Sequence, residues 1–137
     1  MSIKYYQSKL PYRARMVNHA FELSEYFKPL IGDKKEISIA DLGAGVISMT
    51  GSLTPGVKVN LFPSDLLADD YNELWKQNGL VPLIPIEKQN MEKLTYPDNY
   101  FDIVHCVNAL DHTKHPDKAI KEMIRVCKPG GYVYLRH

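Results

Sequence analysis

The sequence predicts an α/β fold, an open and mainly parallel sheet with helices on both faces, and three observations predict it. Short apolar or alternating runs end on glycine or on a carboxylate, as strands do where they run into turns. Between them lie stretches of helical spacing, opened by proline or acids and closed by glycine. The two kinds alternate along the chain, which implies parallel β-α-β units with right-handed crossovers. At 137 residues, 45% of them apolar and 24% charged, the chain has the size and composition of a single domain. It needs neither disulfide nor metal to hold a core. Residues 1–32 read as a helical lid segment and residues 33–137 as the α/β core of that one domain.

Pro11 can open a helix, and Tyr12, Met16, Ala20, Leu23 and Phe27 then fall on one stripe until Pro29 and Gly32. Ile37 and Ile39 alternate with Ser38 and Ala40 before Asp41-Leu42-Gly43-Ala44-Gly45, a strand entering a glycine turn. Val57, Val59 and Leu61 alternate again and lead to Phe62-Pro63-Ser64-Asp65, a second strand closed by a carboxylate. A helix over Asp69 to Asn78 follows, with acids at its start and Gly79 as its stop. Leu80 to Ile86 is apolar but carries Pro82 and Pro85, so if it is a strand it lies at an edge. Phe101 to Val107 reads as a buried strand with almost no polar face. Pro116 then begins a helix with Ala119, Ile120, Met123 and Ile124 inward, ended by Lys128-Pro129-Gly130-Gly131. Tyr132 to Leu135 is the fifth and last strand.

Charge narrows the partner. Seventeen basic and 16 acidic residues leave +1, whereas a nucleic-acid partner held by phosphate contacts calls for a basic surplus. Uncharged stretches fall well short of the roughly 20 apolar residues of a membrane span, and the first ten residues hold no apolar run of a signal peptide. Cys106 and Cys127 read as small buried hydrophobes in a reducing, cytoplasmic setting. A small-molecule substrate is expected, with neither nucleic acid nor membrane as partner.

Ligands of open parallel sheets bind beyond the carboxyl ends of the strands, where strand order reverses. Gly43 and Gly45 fall at one such end and let the backbone turn sharply against a ligand. Asp65 ends the next strand 22 residues after Gly43, about the spacing at which an acid meets the two hydroxyls of a ribose. Together they point to an adenosine-containing ligand. The competing reading is a plain turn followed by a solvated helix-start acid.

With Ala40-Asp41-Leu42-Gly43-Ala44-Gly45, Ser64-Asp65, Asn90-Met91-Glu92-Lys93-Leu94-Thr95-Tyr96, Phe101-Asp102-Ile103-Val104-His105-Cys106, Asn108-Ala109-Leu110-Asp111-His112 and Arg125-Val126-Cys127-Lys128-Pro129-Gly130-Gly131 in order, the sequence resembles the class I S-adenosylmethionine-dependent methyltransferases, in particular their methyltransferase-11-like core. The resemblance implies a Rossmann-like sheet and S-adenosylmethionine as cofactor, with S-adenosylhomocysteine as product. It implies that Asp41, Gly43, Ala44 and Gly45 hold the methionine portion, that Asp65 with Leu66 beside it holds the ribose, that Asn90 and Met91 sit at the adenine, and that Asn108 lies beside the sulfonium.

Two departures from the family pattern stand out. Ile47 occupies the place of a third glycine, so the loop must turn differently there. The sequence stops at Arg136-His137, just after the fifth strand, where family members continue with a helix and two more strands. That last strand would form an unprotected border, so either a longer enzyme or a homodimer pairing over it is expected.

His112 and Asp111, in the loop after the fourth strand, are the candidates for removing a proton from an acceptor. The competing readings are local packing for His112 and a cap for Asp111. His112, His115 and Cys106 match no common zinc spacing, and no metal is expected. Tyr5, Tyr6 and Tyr12 either roof the ligand or pack, and Trp75 belongs to the core. The expected activity is methyl transfer to the oxygen or nitrogen of a small-molecule or sugar-like acceptor. Val107-Asn108-Ala109-Leu110 is not the Asn/Asp-Pro-Pro-aromatic motif of nucleic-acid amino-methyltransferases. Two alternatives remain: a non-catalytic module that binds the cofactor or a partner, and a dinucleotide oxidoreductase. The second is disfavoured by Asp41 two residues before Gly43 and by the Lys-Pro-Gly-Gly turn.

Overall fold

In the computed structural model, which describes residues 3–107, 109, 110 and 113–136, the elements run α1 (Ile3–Val17), a 3-10 turn (Glu25–Phe27), α2 (Lys28–Ile31), β1 (Glu36–Leu42), β2 (Leu53–Thr54), β3 (Val57–Asp65), α3 (Ala68–Gln77), β4 (Glu87–Lys88), β5 (Phe101–Val107), α4 (Pro116–Val126) and β6 (Cys127–Arg136). β1 takes the centre of the sheet because both its faces are apolar, Ile37 and Ile39 on one and Ala40 and Leu42 on the other. It pairs in parallel with β3 and with β5, and β6 pairs in parallel with β5. Two short strands share the far side of β3, β2 antiparallel near its start and β4 parallel at its end. The order β2-β3-β1-β5-β6 therefore reverses at β1, and the crevice opens between the carboxyl ends of β1 and β5.

Each face of the sheet has its own cover. On one, Ala119, Met123 and Val126 of α4 pack on Ala40, Leu42, Val104 and Cys106. On the other, Leu23, Phe27 and Ile31 pack on Ile37, Ile39 and Ile103. A third cluster joins Tyr6, Leu10 and Ala14 of α1 to Tyr71, Leu74 and Trp75 of α3. Trp75 is core, as expected, and its indole N–H donates to the Val46 carbonyl at 2.9 Å. Cys106 and Cys127 are both buried, and neither is part of a disulfide. Among the described residues no helix is long and apolar enough to cross a membrane.

Several expectations need correction. The single helix expected from Pro11 to Phe27 is two separate pieces: α1 has Pro11 in its interior and ends at Val17, and the chain turns back through a loop to the 3-10 turn. Tyr12 and Met16 are 60% and 56% exposed; the buried stripe is Tyr6, Leu10 and Ala14 instead, and Ala20 lies at the surface. The face of α1 is set by where α3 stands, which periodicity alone does not encode. In α4, Ala119 and Met123 are buried as expected, but Ile120 and Ile124 look outward, Ile124 at 62% exposure. Leu80 to Ile86 is no strand; pairing starts only after Pro85, at Glu87–Lys88. Residues 43–56 carry no crossover helix and make the β2–β3 hairpin turn through Pro55-Gly56, with Gly56 at φ +73°. The Lys128-Pro129-Gly130-Gly131 stretch lies inside β6 as an excursion opposite Asp102, between the pairs Phe101 with Cys127 and Ile103 with Tyr132. Beyond it Tyr132, Val133 and Leu135 are exposed along the sheet border.

Arg125 ties α4 to the 94–98 loop. Its guanidinium donates to Glu122 at 2.6 Å, to the Tyr96 and Leu94 carbonyls at 2.9 and 3.0 Å, and to Asp98 at 2.8 Å. The Leu94 N–H closes the ring by donating to Glu122. The hydrogen bond from Arg125 is the main reason the Glu122 carboxyl sits below the usual glutamate range.

Two outcomes follow. Met123→Ala should cost about 2–5 kcal/mol in denaturant unfolding, whereas Ile124→Ala should stay within about 0.5 kcal/mol of the parent. Because the folded-state pKa of Glu122 is depressed, its contribution is complete above the ordinary glutamate value of about 4.3 and is lost as pH falls through the lowered one. Glu122→Gln should therefore be less stable than the parent at neutral pH, with the gap closing on acidification.

Candidate functional site

The carboxyl ends of β1, β3 and β5 open into a cleft of about 720 Å³, a volume typical of sites that hold a small organic ligand. Asp41, Gly43, Ala44 and Gly45 from the end of β1, Asp65 and Leu66 from the end of β3, and Asn90 and Met91 from the loop after β4 all line it. Asn108, Asp111 and His112 lie outside the described residues.

The turn directly after β1 needs Gly43 and Gly45. Gly43 and Gly45 have φ of +68° and +78°, a region that side chains disfavour. A Cβ on Gly43 would collide with the Ala109 side chain, and one on Gly45 with the Tyr6 hydroxyl. Ile47 has no positive φ; it turns inward and packs with Val46 between α1 and α3, and the loop's third glycine comes later, at Gly51, with φ +74° and no room for a side chain beside the Glu22 carbonyl.

Asp65 is held from two sides, its Oδ2 accepting from the Gly45 N–H and its Oδ1 from the Leu67 N–H, both at 3.0 Å. A carboxylate has about four acceptor sites, so each oxygen retains one beyond these bonds. The Asn90 side-chain oxygen accepts from the Glu92 N–H at 3.0 Å, turning the chain back toward Lys93, and likewise keeps one acceptor site. Beneath it the buried Gln89 amide donates to Glu87 and Thr95 and accepts from the Thr95 N–H, which fixes the 87–95 loop.

Sequence reasoning missed a buried polar chain in the floor of the cleft. Asp41 and His105 are register partners on β1 and β5, and His105 Nδ1 lies 2.9 Å from Asp41 Oδ1. The other Asp41 oxygen accepts from Ser48 at 2.6 Å, and Ser48 touches Thr50. His105 Nε2 meets the Tyr26 hydroxyl at 2.9 Å. The pair is all but closed to solvent, with side-chain exposures of 6% for His105 and 7% for Asp41. The usable signal was a lone imidazole inside the otherwise apolar run Ile103 to Val107, since a buried polar group requires a partner.

The roof comes from α1. Tyr6 crosses the cleft edge-on to Tyr71, ring centroids 5.2 Å apart, and Arg13 lies over the Tyr6 ring at 5.6 Å. Burial raises both phenols above the usual tyrosine value, so they stay protonated at neutral pH. Arg13 and Tyr6 line the cleft, whereas Tyr12 does not.

Residues 40–135 match a methyltransferase domain family. The chain belongs to the class I S-adenosylmethionine-dependent methyltransferase family. This methyltransferase domain is 45% identical over 53 residues to a ubiquinone/menaquinone biosynthesis C-methyltransferase, UbiE, of Chromobacterium violaceum, a match covering 39% of the chain and 22% of the relative. It is 28% identical to the UbiE of Shewanella sediminis over 83% of the chain and 37% of that relative. The chain thus spans little more than a third of the latter's length. A crystal structure of a S-adenosylmethionine-dependent methyltransferase from Aquifex aeolicus shares the fold with a TM-score of 0.61 at 22% identity, over 94% of this chain and 69% of that one. S-adenosylmethionine is the cofactor of the family, and the residues of this domain fit it: bare backbone at Gly43 and Gly45 where side chains would intrude, and a fixed carboxylate at Asp65 with acceptor sites to spare.

Gly43→Ala combines a strained φ with the Ala109 contact. It should lower unfolding stability by about 1–3 kcal/mol, read by urea titration.

Proposed function

We propose that this domain transfers the methyl group of S-adenosylmethionine to a small-molecule acceptor, and that Asp41, Gly43, Ala44, Gly45, Asp65, Leu66, Asn90 and Met91 are its cofactor-binding residues. The observation that carries the reading is their convergence on one cleft at the reversal point of the sheet, from three separate stretches of chain. When bound, the cofactor supplies a methyl group on a positively charged sulfur. The chain's own task is then to hold and align. Asp65, kept rigid by the Gly45 and Leu67 N–H groups, presents its remaining acceptor sites to the ribose hydroxyls. Asn90 offers its spare acceptor site to the adenine amine, and Met91 gives the adenine an apolar face. Gly43 and Gly45 let the amino-acid tail approach the main chain. The α1 roof, through Tyr6 and Arg13, keeps water from the aligned groups, so α1 is the part of the expected lid segment that covers the cleft, while Leu23, Phe27 and Ile31 belong to the core.

A second reading concerns the atom that receives the methyl. The UbiE relatives are named for C-methylation in quinone biosynthesis, which favours a ring carbon over the oxygen or nitrogen expected from the sequence. The two converge if the acceptor carries a hydroxyl whose ionisation activates the neighbouring carbon.

The test is a thermal-shift titration with S-adenosylhomocysteine. At a hundredfold excess over its dissociation constant it should stabilise the parent by about 2.7 kcal/mol. Asp65→Asn keeps one oxygen for the backbone donors and should lose most of that stabilisation. Equal shifts in both proteins would remove Asp65 from the site, and no shift in the parent would overturn the reading.

A further inference from the structure

Three neighbouring strands place polar residues in a row on one face of the sheet, because Asp41 is paired with His105 across β1 and β5 and His105 with Tyr134 across β5 and β6. The 3-10 turn lays Tyr26 over this row. Its ring stacks on His105 and on Tyr134, with centroids 5.7 and 4.7 Å away and planes within 13° and 19°, and its hydroxyl meets His105 Nε2. The hydrogen bonds fix the direction of the chain. A carboxylate only accepts, so His105 must carry a proton on Nδ1 toward Asp41. In a neutral imidazole Nε2 is then an acceptor, and the Tyr26 phenol donates to it. Asp41 is anchored in turn by Ser48. His105 and Asp41 are each only 5% exposed and form part of the cleft floor, whereas Tyr26 is 37% exposed and stands over them at the same cleft with Thr50 and Met49. A nearly buried base hydrogen-bonded to a more exposed phenol at the same cleft is a device for accepting a proton.

We propose that Tyr26 is a catalytic residue that takes a proton from the acceptor while passing its own to His105, with His105 and Asp41 as positioning residues, and that the acceptor is a phenol or enol-like hydroxyl compound. The proposal rests on the methyltransferase reading above and adds to it the chemical class of the acceptor. The acceptor O–H bond breaks and its proton goes to the Tyr26 oxygen; the phenol's former proton goes to His105 Nε2; the electron pair stays on the acceptor oxygen. Neutral acceptor and neutral imidazole become an oxyanion and an imidazolium facing the Asp41 carboxylate, so total charge is unchanged. Such an oxyanion is nucleophilic at oxygen and at the adjacent ring or vinyl carbon, and the same device serves either site of methylation. Burial holds the Tyr26 phenol above its usual pKa, with Asp41 and Tyr134 acting in the same direction and Ser24 and Arg136 against it. Tyr26 therefore rests protonated, as a donor to His105 requires. A positioned proton acceptor of this kind is worth about 10²–10⁴-fold in rate.

The experiment uses S-adenosylhomocysteine, 4-nitrophenol as the probe, and histidine labelled with ¹⁵N. In the parent protein with S-adenosylhomocysteine bound, His105 should show the Nδ1–H tautomer at neutral pH, with an Nε2 resonance that moves in Tyr26→Phe. The probe, added at a pH where it is mostly protonated in buffer, should develop its phenolate band on binding. Tyr26→Phe keeps the ring for the stack and His105→Gln keeps an amide in the buried row; each should reduce that band by about tenfold or more. If His105→Gln does not fold, Tyr26→Phe alone decides. An Nε2–H tautomer or an imidazolium at rest, a probe that does not bind or binds uncharged, or a phenolate band undiminished in Tyr26→Phe overturns the proposal. The thermal shift with S-adenosylhomocysteine, recorded on the same samples, separates this failure from that of the methyltransferase reading: it stays intact if only the proton acceptor is wrong.

Discussion

A carboxylate in the middle of a sheet is unstable unless both its oxygens find donors, and the arrangement around the cleft follows from how Asp41 meets that requirement. One oxygen takes His105 and the other Ser48. The first bond joins β1 to β5 across the point where strand order reverses; the second pins the helix-free loop after β1 so that Val46 and Ile47 enter the α1–α3 cluster. Removing either donor would leave a buried charge partly unpaired, a defect of several kcal/mol. The same constraint brings Tyr26 to the cleft, because the second nitrogen of His105 also needs a partner.

Asp65 shows the contrasting solution. It lines the cleft, is less buried than Asp41, takes two backbone N–H donors and keeps an acceptor site on each oxygen. Two acids 24 residues apart in sequence thus divide the work by depth: the deep one organises protein, the shallow one faces outward. The resemblance assigns both to ligand binding; Asp41 uses one acceptor site of each oxygen for His105 and Ser48, keeps one on each, and lines the cleft together with Asp65.

Much of this was legible in the residues. The strand ends at Asp41 and Asp65 could be read because alternation stops there and glycine or helix-start acids take over, and the glycine turn because Gly43 and Gly45 leave few other conformations. The parallel order followed from the alternation of element types. The face of α1 could not be read, since Tyr12 with Met16 and Tyr6 with Leu10 and Ala14 are equally periodic stripes and only the position of α3 chooses between them. Leu23 and Phe27 are apolar anchors, as their pattern predicts, but they sit in a loop and a 3-10 turn, and burial by such segments leaves no period to read. The Tyr26–His105 contact spans 79 residues, and no local pattern encodes a pairing that exists only after three strands have aligned.

The excursion at Lys128 to Gly131 governs more than the sheet border. Side chains on a strand alternate between faces, so the number of residues looped out between Cys127 and Tyr132 determines which way everything after it points. One residue more or fewer in that turn would present Val133 or Leu135 to the imidazole and swing Tyr134 to the α4 side, stripping the aromatic stack of one of its rings without touching the cleft. Glycine lets the excursion hug the Asp102 carbonyl, where a side chain on Gly131 would clash. A turn whose sequence reads as punctuation thereby acts as a spacer that sets the parity of the last strand.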